Sequence, residues 1–261
     1  MATVLLTSAS GSPGVSTSAV GLALAWDRPC VLVEADPTGA SAMLTGYMRQ
    51  YAPNGIPSLL DLAVRYRQSG AFPSLLDVGV QVPGTSIKLI SGIRNHTQAS
   101  AINEIWRPLI EHAQKLDAAG IDVVIDVGRL GLSGSPTSLI NTAELTLLVT
   151  RSTLPALVPA KNWATVLNDT VGPESGRAGL LLVGPGQPYS ATDVSAQLRL
   201  PVIATLPTDP TTAQVFSHGS TPGRRFERSP LYKALPPTVA AIHKHITQAR
   251  VRLGTGEGEH P

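Results

Sequence analysis

The stretch SASGSPGVSTSAVGLALAW, residues 8–26, decides which fold this chain adopts. It overlaps the end of an apolar run, TVLLTSA (3–9), that predicts a buried strand. A Gly/Ser-rich turn then leads into an Ala- and Leu-rich segment, which predicts a helix over 16–26 that stops at the Asp-Arg-Pro of residues 27–29. Because backbone N–H groups at the start of a helix bind anions, the stretch predicts an α/β fold with a candidate phosphate site.

The rest of the chain continues this alternation of short apolar runs and helix-length segments. Further strands are predicted at 30–36, 86–92, 121–128, 143–150, 178–184 and 200–207, and further helices at 57–69, 99–118, 154–169, 190–198 and 236–252. Continuous apolar strands separated by helices are typical of a parallel sheet covered on both faces. We therefore expect one α/β domain over 1–253, a doubly wound and mostly parallel sheet with helices on both faces. Segment 209–233 is expected to be the most loop-like, and 254–261 a disordered tail.

Composition narrows the class of protein and its compartment. The 261 residues are 43% hydrophobic and 15% charged, which is ordinary for a globular protein. A net charge of +2 is too small to support nucleic-acid or membrane binding. The single cysteine, Cys30, rules out an internal disulfide framework and indicates a reducing compartment. The N-terminus lacks a basic region and a long apolar run, so we expect a cytoplasmic protein, with peripheral association with membrane or nucleoid as the alternative. The histidines do not have zinc-ligand spacing.

The turn partly matches the P-loop template G-x-x-x-x-G-K-[ST]. Gly11 takes the first glycine position, and Ser18 takes the position of the magnesium-binding hydroxyl. Ser16 stands for the second glycine and Thr17 for the lysine, while Pro13 removes one backbone donor. Taken alone the turn is weak evidence, because a Gly/Ser turn before a helix is common in α/β proteins.

Two carboxylates strengthen the nucleotide hypothesis. Asp36 ends the second predicted strand and Asp126 ends the fourth. In a parallel sheet both are expected at the open carboxyl edge, beside the turn after the first strand. A P-loop enzyme needs one acid there for the magnesium shell and another to orient water. Each aspartate by itself is better explained by a turn or a helix cap, and only the three features together favour a nucleotide site.

These features in this order resemble the ParA/MinD-type branch of P-loop ATPases, which acts in chromosome partitioning and cell positioning. The resemblance covers nearly the whole chain. The segment SPGVSTS (12–18) has the length of the family loop K-G-G-V-G-K-[ST]-T. Ser12 stands where the family has a signature lysine that acts across a dimer, and Thr17 stands where it has the P-loop lysine.

Two further segments resemble the switch regions of that family. VLVEADPTGAS (31–41) is similar to V-D-x-D-P-Q-G, with Glu34 and Asp36 in the acid positions and Thr38 in place of glutamine. GIDVVIDVGRL (120–130) is similar to Y-D-x-V-I-I-D-x-P-P, with the acid kept and Gly-Arg in place of the two prolines.

The C-terminal half resembles the family as well. Segments 142–157, 200–219 and 229–235 are similar to its later motifs, including a P-x-D stretch that borders adenine. Gly184 stands where the family has an adenine-contacting asparagine.

The resemblance implies ATP and Mg²⁺ as ligands. It places phosphate on Gly11, Ser12, Pro13, Gly14, Val15, Ser16, Thr17 and Ser18, magnesium on Ser18, Asp36 and Asp126, and catalysis on Asp36 and Asp126. Losing both lysines removes two positive charges, so ATP binding and hydrolysis are expected to be weak or lost. An arginine near a strand end is the alternative source of charge, and the candidates are Arg94, Arg129 and Arg151.

The resulting expectation is a divergent localisation, assembly or partitioning factor, closest to the pilus- and secretion-associated (TadZ/CpaE-like) branch. A slow but genuine partitioning ATPase and a nucleotide-free scaffold are the alternatives. The resemblance implies a homodimer and a protein partner in a positioned complex.

Two basic or amphipathic segments have two interpretations each. The final helix carries an apolar stripe (Val239, Ile242, Ile246 and Leu253) and is expected to pack on the sheet, with a membrane-binding helix as the alternative. The basic segment 223–228 is expected to be solvated, with a nucleic-acid contact as the alternative.

Overall fold

An eight-stranded sheet forms the centre of the protein. The structure is a computed structural model that describes residues 2–11, 13–39, 41–49 and 56–256. The strands run in the order β3-β4-β2-β5-β1-β6-β7-β8, and all are parallel to their neighbours except β3, which pairs antiparallel with β4. Their bounds are β1 Thr3–Ser8, β2 Cys30–Glu34, β3 Val80–Gln81, β4 Ile87–Ile90, β5 Asp122–Arg129, β6 Leu145–Arg151, β7 Ala178–Val183 and β8 Val202–Leu206.

Nine α-helices flank the sheet in the described part of the chain. They are α1 Val15–Leu24, α2 Ala42–Thr45, α3 Leu59–Ser69, α4 Leu75–Val78, α5 Trp106–Ala118, α6 Leu154–Val171, α7 Ala191–Leu198, α8 Pro210–His218 and α9 Pro230–Gly256. One apolar core lies between the sheet and α3–α7, and a second lies between the sheet and α1, α8 and α9. The doubly wound, mostly parallel α/β architecture expected from the sequence is confirmed.

The central strands are buried on both faces, which explains their continuous apolar sequences. All residues of β1 and β2 are buried, and so is every residue of β5 and β6 except the last of each. Cys30 opens β2 with 1% of its surface exposed, and its sulfur lies 4.0 Å from the carbonyl oxygen of Ala23 in α1.

Segment 209–233 is more ordered than the sequence predicted. It contains α8 and the start of α9, so the prediction of a loop was wrong there. Asp209 caps α8 by accepting a hydrogen bond from the N–H of Thr212 at 3.1 Å, and Pro210 takes the first helical position, which tolerates proline. The helix is short, and the turn-forming residues around it led the sequence analysis to predict a loop.

The last helix packs on the sheet. Val239, Ile242 and Ile246 are at most 3% exposed within the second core, whereas Leu253 is half exposed. This confirms packing for three of the four residues in the predicted stripe. Helix α9 also extends through Gly256, into the segment expected as a tail, and residues 257–261 lie outside the described part. Across the described residues, no helix has the length and apolar character needed to cross a bilayer.

A buried polar cluster fixes α9 to the amino end of β5. The carboxylate of Asp122, fully buried, accepts hydrogen bonds from Trp26 Nε1 at 2.8 Å and from the N–H of Ala2, and lies 3.2 Å from His243 Nε2. Burial alone would raise the pKa of Asp122, but the hydrogen bonds from His243, Trp26 and Ala2 outweigh it and hold that pKa below its usual value.

Candidate functional site

The turn between β1 and α1 presents open backbone to solvent. Gly14 precedes α1 with φ 98° and ψ 33°, a left-handed conformation that favours glycine, and its carbonyl accepts the N–H of Ser18 at 2.8 Å. No side chain caps this end of α1, so its first N–H groups are available to a ligand. A methyl group added at Gly11 or Gly14 would meet nothing within 4 Å, which shows free space above the turn.

A cleft of about 880 Å³ runs along the carboxyl edge of the sheet. It spans the turn after β1, the ends of β5, β6, β7 and β8, and the start of α8. Of the residues predicted for the site, Gly11, Pro13, Gly14, Val15, Ser16, Thr17, Ser18 and Asp36 line it. Ser12 lies outside the described residues. The sheet therefore brings most of the predicted set into one place.

Asp126 lies in the interior below the turn. The sequence placed it at an open edge, which is wrong, because only 3% of the residue is exposed and it does not line the cleft. Its carboxylate accepts a hydrogen bond from the N–H of Gly128 at 3.0 Å. Burial raises the pKa of Asp126 from 3.8 to about 6, opposed by Ser16 and the N–H of Gly128 and with a further contribution from the charge of Asp36.

Asp36 faces the cleft and is half-buried. One of its carboxylate oxygens accepts hydrogen bonds from both the N–H and the hydroxyl of Thr38, at 2.8 and 2.7 Å. Gly128 lies directly against this carboxyl group, since a methyl group there would come within 2.3 Å of it. The carboxylate keeps free acceptor capacity for a cation or a water molecule.

Glu34 connects three segments around the site. It is 4% exposed and accepts hydrogen bonds from the hydroxyl of Ser41, the N–H of Met43 at 2.8 Å and the N–H of Gly92 at 3.4 Å. Burial raises its pKa from 4.5 to about 7, although hydrogen bonds from Ser41 and Met43 oppose the shift. Glu34 therefore ties the chain after β2 to the chain after β4.

The three candidate arginines differ in position. Arg129 at the end of β5 and Arg151 at the end of β6 line the cleft, whereas Arg94 does not. Among the described residues that line the cleft there is no lysine.

The other end of the cleft is more apolar and includes residues that sequence reasoning missed. Gln214 and Phe216 reach it from α8, and Leu231 and Leu235 reach it from α9. The Asp-Pro pair at the start of α8 could have indicated a helix N-terminus in the sequence. Gly184, in the position where the resemblance expects asparagine, has φ 68°, and a methyl group there would lie 2.5 Å from the hydroxyl oxygen of Thr208. A side chain at 184 is therefore excluded unless Thr208 moves.

Comparison with known proteins rests on structure alone. No protein-family model matches the chain, and no curated protein matches it in sequence. The cell division ATPase MinD of Pyrococcus furiosus is 20% identical with a TM-score of 0.72, covering 94% of this chain and 99% of that one. MinD of Pyrococcus horikoshii, complexed with Mg-ADP, is 18% identical with a TM-score of 0.72, covering 93% and 96%.

A ParA-family ATPase from Chlorobium tepidum is 16% identical with a TM-score of 0.70, covering 93% of this chain and 99% of that one. At these identities the comparison establishes the fold. The eight-stranded sheet, its flanking helices and the turn before α1 have the MinD/ParA P-loop NTPase fold.

Proposed function

We propose that this protein is a ParA/MinD-like localisation, assembly or partitioning factor in which ATP binding and hydrolysis are weak or lost. The observation that carries the proposal is the burial of Asp126, the acid of the second switch-like segment, which is 3% exposed and does not line the cleft. The described lining of that cleft also contains no lysine.

The residues present fit the phosphates of a nucleotide. The uncapped start of α1, the free space above Gly11 and Gly14 and the volume of the cleft all suit a phosphate chain. Magnesium fits less completely. Ser18 and Asp36 line the cleft and offer oxygen ligands, whereas Asp126 does not line it and accepts a hydrogen bond from the N–H of Gly128. Bound Mg²⁺ would supply charge neutralisation at the phosphates.

Hydrolysis requires a group that orients water at the outermost phosphate. Asp126 is the candidate by sequence, but it is buried, does not line the cleft and already accepts a hydrogen bond from the N–H of Gly128. Loss of one preorganised electrostatic donor reduces turnover by roughly 10²–10³-fold. The replacements at Ser16 and Thr17 therefore support a protein that localises or assembles without an efficient ATPase cycle.

Calorimetry with MgATP and MgADP, together with phosphate release measured beside Pyrococcus furiosus MinD, tests this proposal. We expect turnover at least about 100-fold below that of MinD. Micromolar binding with slow turnover would make the protein a nucleotide switch. No binding at millimolar nucleotide would make residues 11–18 a structural relic and move the function to a partner-binding surface. Turnover equal to that of MinD would overturn the proposal.

Two alternatives each have a supporting observation. The arginines at the ends of β5 and β6 favour a slow, genuine partitioning ATPase. Exposed apolar side chains on α6, where Leu154, Val158 and Val166 are 45–60% exposed, favour a nucleotide-free scaffold for a secretion or pilus complex of the TadZ/CpaE-like type. A homodimer and a protein partner are part of the proposal, and light scattering with and without MgATP tests the dimer.

A further inference from the structure

Two arginines lie on opposite sides of the phosphate-binding turn. Strand β1, which leads into the turn, lies between β5 and β6 in the sheet, and Arg129 and Arg151 are the last residues of those two neighbours. Both arginines line the same cleft as Gly11, Gly14 and Thr17. A phosphate chain resting on the turn would thus have one cation on each side.

The backbone of Arg129 is fixed beside the turn. The next residue, Leu130, donates its N–H to the carbonyl of Ser8 at 2.9 Å, and the hydroxyl of Ser135 donates to the carbonyl of Arg129 at 3.2 Å. Arg129 also pairs with Ser8 in the sheet register. The guanidinium group therefore extends from a well-held strand end rather than from a free loop.

The backbone of Arg151 is fixed on the other side. Arg151 pairs with Val183 of β7, and the next residue, Ser152, is fully buried. The hydroxyl oxygen of Ser152 lies within hydrogen-bond distance of the carbonyls of Gly184 and, at 3.0 Å, Gln187, and it accepts the N–H of Gln187 at 3.1 Å. This network places Arg151 between the turn and the more apolar end of the cleft.

Neither guanidinium group has an ion-pair or hydrogen-bond partner within the described residues. Arg67 and Arg107, by contrast, pair with glutamates on the protein surface. Two unpaired cations facing one cleft repel each other, and an anion between them relieves that repulsion. Guanidinium groups match phosphate oxygens because they present several N–H donors in a planar fork.

We infer that Arg129 binds the outermost phosphate and Arg151 an inner phosphate of a nucleoside triphosphate, replacing the charge of the missing lysine. The inference rests on the nucleotide site of the proposed function. The orientation follows from the cleft itself. Asp36 and Arg129 lie on the β5 side, whereas Val183, Leu206 and Pro207 line the β7 and β8 side and suit a base. With the base there, the end of the phosphate chain reaches Arg129.

Calorimetry with MgATP and MgADP on the wild type, Arg129→Ala and Arg151→Ala tests the assignment. We expect Arg129→Ala to weaken ATP binding by about tenfold and to leave ADP binding unchanged, because ADP lacks the outer phosphate. We expect Arg151→Ala to weaken both nucleotides by about tenfold. Arg129→Lys should restore part of the ATP affinity, and all these losses should shrink at high salt.

Arg94→Ala is the matched control, because Arg94 is also an exposed arginine after a strand but lies outside the cleft. Its affinities should equal those of the wild type, and unchanged Tm values should verify that the variants fold. The inference is overturned if Arg129→Ala behaves like Arg94→Ala, or if it weakens ATP and ADP equally. Absence of any wild-type binding also overturns it, while the proposed localisation role, which is decided by turnover, would remain.

Discussion

Gly128 shows how one replacement changes the chemistry of the site. The resemblance places proline at this position, but φ is 67° here and the N–H donates to Asp126, and proline allows neither. Glycine also leaves room for Asp36, whose carboxyl group lies where a side chain would begin. Gly128 thus holds one acid by its N–H and makes space for the other.

Substitution of Gly128 by alanine should therefore lower the free energy of unfolding by more than backbone strain alone would. We expect about 1–2 kcal/mol from the left-handed backbone and about 1–3 kcal/mol more from the clash with Asp36. Gly70→Ala is the control, because φ is 69° there and an added methyl group meets nothing within 4 Å. Urea unfolding compares the two. The packing is contradicted if Gly128→Ala and Gly70→Ala lower the free energy of unfolding equally. It is also contradicted if adding Asp36→Ala to Gly128→Ala recovers none of the lost stability.

Ser16 and Thr17 are the residues that separate this turn from a complete P-loop. Replacing them together, Ser16→Gly with Thr17→Lys, should restore the second glycine of the P-loop template and return a cation to the phosphate site. We expect MgATP affinity to rise by about tenfold or more. Calorimetry measures the change, with Thr17→Gln as the uncharged control. No gain in affinity would mean that other changes in the cleft exclude the nucleotide.

At the scale of elements, seven strands were predictable, whereas the two-residue strand β3 and the short helices α2, α4 and α8 were not. Strands β1, β2, β5 and β6 are buried on both faces, so their sequences are continuous apolar runs that mark them directly. Strand β3 has two residues, and α8 depends on the cap supplied by Asp209, so neither produces a recognisable period. The turn and Asp36 line the cleft, as their position after strands predicts, whereas Asp126 is buried because β5 continues beyond it to Arg129, which spacing does not encode.

Helix α9 depends on the polar cluster around Asp122. Asp122→Ala would leave the donors of Trp26 and Ala2 without their acceptor in the interior and remove the partner of His243. We expect a loss of about 3–5 kcal/mol in unfolding free energy. Asp27→Asn is the control, because Asp27 also approaches His243, at 3.4 Å, but its side chain is 61% exposed. It should cost less than about 1 kcal/mol, and similar losses in both variants would contradict the assignment.

At the scale of the whole molecule, two buried acids set a pH dependence of stability. Folding raises the pKa of Asp126 from 3.8 to about 6 and that of Glu34 from 4.5 to about 7. Between these values the folded protein binds more protons than the unfolded chain, so stability from these groups falls as pH rises from about 4 to about 7.

Asp126→Asn should make the unfolding free energy less dependent on pH between about 4 and about 6. Glu34→Gln should do the same between about 4.5 and about 7. Urea unfolding at half-unit pH intervals measures the slope. Asp193→Asn, a change at a fully exposed carboxylate, is the control and should leave the slope unchanged over this range. A slope shared by the wild type and both buried-acid variants would show that other groups control the pH response.

The burial of Cys30 provides a chemical reporter of unfolding. Burial, with the charge of Asp122, raises the pKa of its thiol to about 12, so the reactive thiolate is essentially absent at neutral pH while β2 stays in place. The chain has no other cysteine. A thiol reagent added to the native protein therefore marks only molecules whose central strand has come out of the sheet, and the rate of labelling counts those openings without any engineered probe.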